Sequence, residues 1–327
     1  MRGTLGQRPP LAALVGPTAS GKSRMALEVA LELRSTGVEP EIVSCDSMGV
    51  YRGLDIAADK PSTSDRRLVP HHMFDVVHAS ADYTAVAYRQ AARDAIAGIH
   101  ARGGLPMLVG GSGLWFRAVV DHLEFAPTDP ALRSSLERQD PHELHNRLSL
   151  ADPESAARID PRNRRRVVRA VEILELTGRP PSELRGAWER REGPYSVMVA
   201  GLTWSREELL ERAGRRIGEE LEAGLLEEVR AALDAGISRT ARQALGVKEM
   251  LEHLESGLPL EQARDLLVRN TRSFIRRQLS WFRADPRIEW VDASEVGWES
   301  ARRRIVELIA RAAPGEGSDP AAHPAAR

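Results

Sequence analysis

Residues 16–23, GPTASGKS, follow a short apolar run and have the spacing G-x-x-x-x-G-K-S. This spacing is typical of a phosphate-binding loop, most often one that holds ATP or another nucleotide. Gly16 and Gly21 let backbone amides point at a phosphate, Lys22 offers a positive charge, and the Ser23 hydroxyl can ligate Mg²⁺. The residues predicted to bind phosphate groups are Gly16, Pro17, Thr18, Ala19, Ser20, Gly21, Lys22 and Ser23.

A second candidate for chemistry, Asp46, directly follows the apolar run EIVSC. Its predicted place is the carboxyl edge of a parallel sheet, where such sheets bind ligands. The residue type leaves three roles open. Asp46 can hold Mg²⁺ as in a kinase, act as a general base beside the phosphate loop, or cap a turn together with Ser47.

Other stretches carry weaker signals for a site. LVGGSGLWF (108–116) is a glycine turn after a strand, in which the backbone can approach another group closely and Ser112 offers a hydroxyl. His71 and His72 lack nearby cysteines or spaced acids, so a metal site there is not expected. The HELH stretch at 142–145 is interpreted as a solvated helix.

Two basic clusters point to a polyanion. RNRRRVVR (162–169) is arginine-rich, and RNTRSFIRRQLSWFR (269–283) combines arginines with Phe274, Trp281 and Phe282 and contains no acid. One such cluster alone is usually a solvated helix face. Two clusters, one of them with aromatic rings able to stack on bases, favour contact with an RNA or DNA backbone.

The secondary-structure elements that must position these residues are predicted to alternate between strands and helices. Strands are predicted at 11–15, 41–46 and 105–110, more weakly at 195–204 and 287–292, and helical periodicity separates the first three. The chain is therefore predicted to be an α/β protein with a P-loop NTPase-like parallel sheet and helices on both faces. After a capping box formed by Ser205 and Glu208, we expect one helix that runs toward Gly236.

Strand signals vanish between residues 121 and 194, where arginine- and glutamate-rich helical segments are broken by prolines. We predict an α/β catalytic core over 9–120 and 195–312, an inserted all-helical, nucleic-acid-binding domain over 121–194, and a disordered tail over 313–327.

Bulk properties narrow the functional class. The 327 residues carry a net charge of −1, so contact with a nucleic acid must come from local patches. Cys45 is the single cysteine, which excludes an internal disulfide. We find no signal-peptide core and no membrane-spanning stretch, so we expect a cytoplasmic protein, and we expect it to be a monomer.

Taken in order along the chain, several stretches resemble the bacterial tRNA dimethylallyltransferase (tRNA isopentenyltransferase) family. They are GPTASGKS, SCDSMGVYRGLDI, PHHMFD, LVGGSGLWF, RRVVRAVEI, GLLEEV, QALGVKEM and RRQLSWFR, and they cover roughly residues 11 to 310. The resemblance implies that a dimethylallyl group passes from dimethylallyl diphosphate to N6 of the adenosine just 3′ of a tRNA anticodon. The phosphate loop would then hold a diphosphate with Mg²⁺, and Asp46 would accept the N6 proton.

The resemblance also implies further site residues. Arg216 matches the arginine that the family uses at the diphosphate, so Asp46, Arg216 and Lys22 become the expected catalytic residues. Contacts with the tRNA anticodon stem-loop are implied for Asp46, Ser47, Met48 and Gly49, for Ser112 and Arg133, for Arg165, Arg166, Val167, Val168 and Arg169, and for Gln243, Ala244, Leu245, Gly246, Val247 and Lys248.

The sequence departs from the family pattern at three places. Gly49 stands where glutamine is usual, residues 57–59 read Ala-Ala-Asp where the family has Gly-Thr-Ala, and Val247 replaces a tyrosine. Three other functions remain open on the residues alone: an ATP-dependent small-molecule kinase, a prenyl transferase that acts on free adenine nucleotide, and a non-enzymatic RNA-binding module.

Overall fold

Six parallel strands form the central sheet of this computed structural model, which describes residues 8–184 and 190–313. In chain order the strands are β1 (Pro10–Val15), β2 (Pro40–Ser44), β3 (Tyr51–Arg52), β4 (His71–His72), β5 (Val77–His78), β6 (Leu105–Gly110), β7 (Ser196–Thr203) and β8 (Ile288–Asp292). The order across the sheet is β4-β2-β6-β1-β7-β8, and β3 pairs with β5 apart from it. The five strands predicted from the sequence are confirmed, and the two-residue strands are additions.

The helices fall into an early and a late group. The early ones are α1 (Lys22–Arg34), α2 (Thr63–Leu68), α3 (Ala85–Ala101), α4 (Gly113–Val120), α5 (Pro130–Glu137), α6 (Pro141–Ala151), α7 (Pro153–Arg158) and α8 (Arg164–Thr177). The late ones are α9 (Arg206–Glu222), α10 (Leu225–Asp234), α11 (Val247–Ser256), α12 (Leu260–Arg283), α13 (Ala293–Val296) and α14 (Trp298–Ala310), with a short 3₁₀ turn at Ala241–Gln243.

Helices cover both faces of the sheet, as predicted. Along β1, Leu11, Ala13 and Val15 share one core with α3, α10 and α11, while Ala12 and Leu14 share a second core with α1 and α14. Side chains of a strand alternate between its two faces, so a strand that is buried throughout must be covered on both. The five residues Leu11 to Val15 have no exposed surface, which places β1 at the centre of the fold.

The chain divides into two compact units. One, here called the sheet unit, contains residues 8–120 and 194–313 of the described chain, and the other, the helical unit, is Asp121–Gly193. The helical unit has its own small core, in which Leu144 and Leu148 of α6 pack against Val167 and Val171 of α8. Where residues 121–193 are described, they contain helices and no strand.

The single helix predicted from Ser205 toward Gly236 is wrong. Gly224 has a φ of 100°, a left-handed conformation that ends the helical path, and it separates α9 from α10. The helix does begin at Ser205, whose hydroxyl oxygen accepts the Glu208 amide at 3.3 Å. The Glu208 carboxylate accepts from that same hydroxyl at 3.0 Å, while the Ser205 amide donates to Ser294.

None of the described helices combines the length and apolar character needed to cross a bilayer. The predicted disordered tail lies, apart from its first residue, outside the described residues.

Candidate active site

The phosphate loop connects β1 to α1 and packs tightly against its neighbours. A Cβ at Gly16 would lie 2.4 Å from the carbonyl oxygen of Leu202 in β7, so this position requires glycine. Gly21 has a φ of 82°, and Ala19 has a φ of 63°, which is costly for a residue with a side chain. The predicted loop geometry is therefore imposed both by the adjacent strand and by the turn into α1.

Side chains from distant elements fix the loop backbone. The Thr18 amide donates to Oε1 of Gln278 at 2.8 Å, and Nε2 of Gln278 donates to the Gly111 carbonyl at 2.9 Å. The Arg212 guanidinium donates to the Ala19 carbonyl at 2.9 Å. Since these partners come from α9, α12 and the glycine turn, the loop is held in place before any ligand arrives.

Lys22 and Asp46 contribute opposite charges to one cavity. Burial lowers the pKa of Lys22, the Asp46 carboxylate opposes this shift, and the Arg216 guanidinium reinforces it. The ammonium also donates to the Pro17 carbonyl at 3.3 Å. A half-buried lysine beside a second cation is poised to gain from an incoming anion, because the anion offsets both desolvation and repulsion.

Asp46 sits at the end of β2, where the sequence places it. Its Oδ1 accepts the amide of Met48 at 2.8 Å, so the turn-capping role is real. Its Oδ2 has no hydrogen-bond partner among the described residues, and Asp46 lines the cavity that Lys22 and Ser23 also line. One oxygen thus shapes the turn, and the other is left for a proton or a metal ion.

Arg216 reaches the same cavity from α9. Its Nε lies 2.6 Å from Oε1 of Glu220 and its Nη1 lies 3.2 Å from Oδ2 of Asp59. Burial disfavours the charged form, but Asp59 and Glu220 outweigh it and raise the pKa of Arg216. Arg212, one turn earlier, instead donates to the phosphate-loop backbone and lies over the Trp204 ring at 4.3 Å.

The glycine turn after β6 approaches protein rather than open space. A Cβ would lie 2.1 Å from the Cys45 carbonyl oxygen at Gly110, 2.4 Å from Gln278 at Gly111, and 2.0 Å from the Trp281 ring at Gly113. These glycines therefore let β2 and α12 pack against the turn. Ser112, between them, does line the cavity.

The cavity has a volume of about 390 Å³ and gathers most of the predicted residues of the sheet unit. Those that line it are Thr18, Lys22, Ser23, Asp46, Ser47, Met48, Ser112, Arg216, Gln243, Ala244, Leu245, Gly246 and Lys248. Gly16, Pro17, Ala19, Ser20, Gly21, Gly49 and Val247 do not line it. The sequence is therefore a good guide to the walls of this cavity.

Two departures from the family pattern have a packing explanation. The Val247 side chain is fully buried in the core, so the prediction of a tRNA contact there is wrong for the side chain. A Cβ at Gly49 would lie 3.0 Å from the Phe74 ring, and a longer side chain would have to displace that ring. Phe74 itself lines the cavity.

Several wall residues were missed by sequence reasoning. Glu220 and Asn270 line the cavity, but no motif singles them out. Asp59 also lines it, and the sequence marked it only as a departure from the family pattern. Phe274 and Arg277 also line it, and both belong to the basic cluster 269–283, so that cluster contained a usable signal.

The helical unit exposes only part of its predicted nucleic-acid surface. Arg165 and Arg166 are exposed at the start of α8. Val167 and Val168 are 0% and 2% exposed and belong to the core, which contradicts the prediction that these two side chains contact tRNA. The helix turns its arginines outward and its valines inward, as its periodicity requires.

Two further arginines of the helical unit are held by a buried carboxylate. Glu172 is fully buried, and its Oε2 lies 2.6 Å from a guanidinium nitrogen of both Arg133 and Arg169. Burial raises the pKa of Glu172, but the two arginines outweigh it, so that its pKa is lowered. Arg133 and Arg169 therefore first serve the stability of this unit, because removing either leaves a buried charge poorly compensated.

His72 and His145 contact other groups of the protein. Within residues 8–184 and 190–313, no group of three or more His, Cys, Asp or Glu side chains could hold a metal ion. His72 pairs with Glu41 at 2.6 Å, and His145 lies 3.1 Å from the carbonyls of Ala156 and Ile159. These contacts are structural.

Comparison with known proteins gives consistent results. A sequence model of the IPP transferase family matches residues 49–285. The chain is 40% identical over 327 residues to the tRNA dimethylallyltransferase of Thermomicrobium roseum, covering 98% of this chain and 97% of the relative. It is 45% identical over 303 residues to that of Acidothermus cellulolyticus, covering 90% and 92%.

Among solved structures, the full-length tRNA isopentenylpyrophosphate transferase from Bacillus halodurans is similar with a TM-score of 0.68 and 37% identity. The match covers 93% of this chain and 96% of that one.

Proposed function

This chain belongs to the IPP transferase family, and we propose that it is a tRNA dimethylallyltransferase. It transfers the dimethylallyl group of dimethylallyl diphosphate to N6 of the adenosine just 3′ of the anticodon and releases diphosphate. One observation carries the proposal: a single cavity brings the phosphate-loop residues Lys22 and Ser23 together with Asp46 and Arg216. The relatives named above are tRNA-modifying transferases, which leaves the kinase interpretation without support.

The positive side chains of the cavity suit a diphosphate leaving group. As the bond between the allylic carbon and the diphosphate oxygen breaks, negative charge grows on that oxygen. Lys22 and Arg216 supply positive charge at this place, because the structure already holds both side chains at the cavity wall.

Asp46 suits the acceptor side of the reaction. The N6 amine forms a bond to the allylic carbon and must lose one proton, which the Oδ2 of Asp46 can accept. Met48 fixes the other carboxylate oxygen, so the carboxylate is oriented before the base arrives. The adenine must leave its stack to reach a cavity of this kind, as in other enzymes that modify bases.

The residues present also fit Mg²⁺, which we propose as the cofactor. Ser23 supplies a hydroxyl oxygen at the cavity, with the Asp46 carboxylate in the same wall. Mg²⁺ prefers oxygen ligands and commonly keeps water and substrate phosphate oxygens as the remainder, so the lack of a dense acidic cluster among the described residues fits this metal. When bound, it would neutralise charge on the diphosphate.

The tRNA contacts, the cellular location and the oligomeric state complete the proposal. Ser47, Met48, Ser112 and Lys248 line the same cavity and would contact the anticodon loop, and the exposed arginines of α8 would contact phosphates. We further propose a cytoplasmic, monomeric enzyme.

The test is a direct assay of the product. Unmodified tRNA is incubated with Mg²⁺ and either dimethylallyl diphosphate or ATP, and the digested nucleosides are weighed by mass spectrometry. We expect one adenosine to gain a dimethylallyl group with the first donor only, and Lys22→Ala to lose this product. Wild-type enzyme that leaves tRNA unchanged under these conditions would refute the proposal.

A further inference from the structure

Asp59 places a negative charge on the wall of the cavity that takes the diphosphate. Its Oδ2 lies 3.2 Å from Nη1 of Arg216, while Glu220 occupies the Nε side of the same guanidinium at 2.6 Å. Asp59 also acts electrostatically on Lys22. Asp59 is therefore a competing partner of Arg216, one of the two cations proposed to hold the diphosphate.

The backbone around Asp59 is anchored, so this carboxylate stays close to the site. The amides of Asp55, Ile56 and Ala57 donate to the Glu228 carboxylate at 2.7, 2.8 and 2.9 Å. On the other side, the nearly buried ammonium of Lys60 donates to the Tyr51 carbonyl and to Asp55 and Asp75. The loop cannot swing away without breaking these bonds.

The two carboxylates paired with Arg216 differ in how readily an incoming anion can displace them. The Glu220 side chain is 14% exposed, whereas that of Asp59 is 60% exposed. An exposed carboxylate loses little solvation when it turns toward water, and an exposed ion pair contributes little free energy. Asp59 is therefore the partner that an incoming anion can replace, and Glu220 is the one that keeps Arg216 in place.

We propose that Asp59 is a positioning residue that occupies the diphosphate's place on Arg216 and is displaced when diphosphate binds. The inference rests on the proposed function, because it assumes that the cavity receives a diphosphate. Asp59 then weakens the binding of the donor and speeds the release of diphosphate after transfer. The usual Gly-Thr-Ala pattern of the family has no carboxylate at this position.

The test uses Asp59→Asn and inorganic diphosphate. Asparagine tolerates the left-handed φ of 46° at this position and keeps the shape of the side chain without its charge. Removing one like charge from the wall of a partly hydrated anion site should tighten diphosphate binding roughly 3- to 10-fold. Isothermal titration at fixed ionic strength, with and without Mg²⁺, measures this directly.

The matched control is Asp55→Asn, which removes the same charge from the same loop. Asp55 pairs with Lys60 and does not line the cavity, so its replacement should change the affinity by less than about twofold. Unchanged or weaker binding in Asp59→Asn would overturn the inference. Weakening seen only with Mg²⁺ would overturn it in favour of a metal-ligand role.

Turnover adds a readout that a merely structural role would not move. With tRNA as acceptor, Asp59→Asn should lower KM for dimethylallyl diphosphate and strengthen inhibition by diphosphate by the same factor as the titration. Tighter diphosphate binding in an enzyme that does not prenylate tRNA would refute the proposed function and leave this inference standing. Normal prenylation of tRNA without tighter diphosphate binding would refute this inference and leave the proposed function standing.

Discussion

Gln278 offers the sharpest test of how the phosphate loop is held. Its amide joins the loop at Thr18 to the glycine turn at Gly111 through bonds of 2.8 and 2.9 Å, and the side chain is 6% exposed. Gln278→Met keeps the length of the side chain and removes both bonds. Each buried partner left unpaired costs about 1–3 kcal/mol, and Thr18, which is partly exposed, lies at the lower end of that range.

The expected loss is therefore about 2–4 kcal/mol in the free energy of unfolding, or roughly 4–16 °C in melting temperature for a unit of this size. The released loop should also raise KM for the donor more than it lowers kcat, because the loop contacts the diphosphate rather than the acceptor. Differential scanning calorimetry and steady-state kinetics measure the two effects.

Gln262→Met is the matched control, since Gln262 is exposed near the start of the same helix. It should melt within about 1 °C of the wild type, as surface substitutions usually do. A second comparison uses Gly111→Ala, whose Cβ would lie 2.4 Å from the Gln278 amide nitrogen. The loss of unfolding free energy caused by Gly111→Ala should be smaller when Gln278 is also replaced by alanine. If Gln278→Met behaved like the control in both assays, the anchoring role assigned to this amide would be refuted.

Four other variants test separate parts of the molecule. Asp46→Asn should slow tRNA prenylation by about two to four orders of magnitude with donor binding little changed, whereas selective loss of Mg²⁺ or donor binding would favour a metal-holding role. Replacing Arg165 and Arg166 with glutamine should reduce the salt dependence of tRNA binding by about one unit of slope per lost duplex phosphate contact. An unchanged slope in this double variant would show that the exposed face of α8 is not part of the tRNA interface. Arg169→Gln should instead lower the melting temperature. Because the pKa of Glu172 is lowered on folding from its ordinary value of 4.5, its stabilising contribution is present above that pH and is lost as pH falls through the lowered pKa. Urea unfolding should show a larger loss of stability at low pH in the wild type than in Glu172→Gln, because other carboxylates with a lowered pKa remain in both. Parallel curves of stability against pH would contradict this contribution.

Much of the fold and of the site can be predicted from short stretches of the sequence. The spacing of Gly16, Gly21 and Lys22 specifies a loop between a strand and a helix, and Asp46 can be placed because it ends an apolar run. These features depend on neighbours within a few residues. Periodicity and turn residues report such short-range relations well.

The features that the sequence does not disclose depend on distant partners. Arg133 and Glu172 are 39 residues apart, and nothing in either segment shows that a buried carboxylate occupies that arginine. The partner of Gly113 is Trp281, so the glycine turn could be read only as a close approach to something unknown. Asp59 faces Arg216 because a loop and helix α9 converge in three dimensions, which periodicity cannot reveal.

The interruption of the sheet unit by the helical unit has a consequence during synthesis on the ribosome. In the finished sheet, β1 is paired on one side by β6 and on the other by β7, which begins only at Ser196. At about 5 to 20 residues per second, the stretch between Val120 and Ser196 takes roughly 4 to 15 s to make. Throughout that interval the nascent chain carries an apolar strand with one bare edge, the kind of surface that recruits other chains. The length of the helical unit thus sets a waiting time for the most buried strand of the protein.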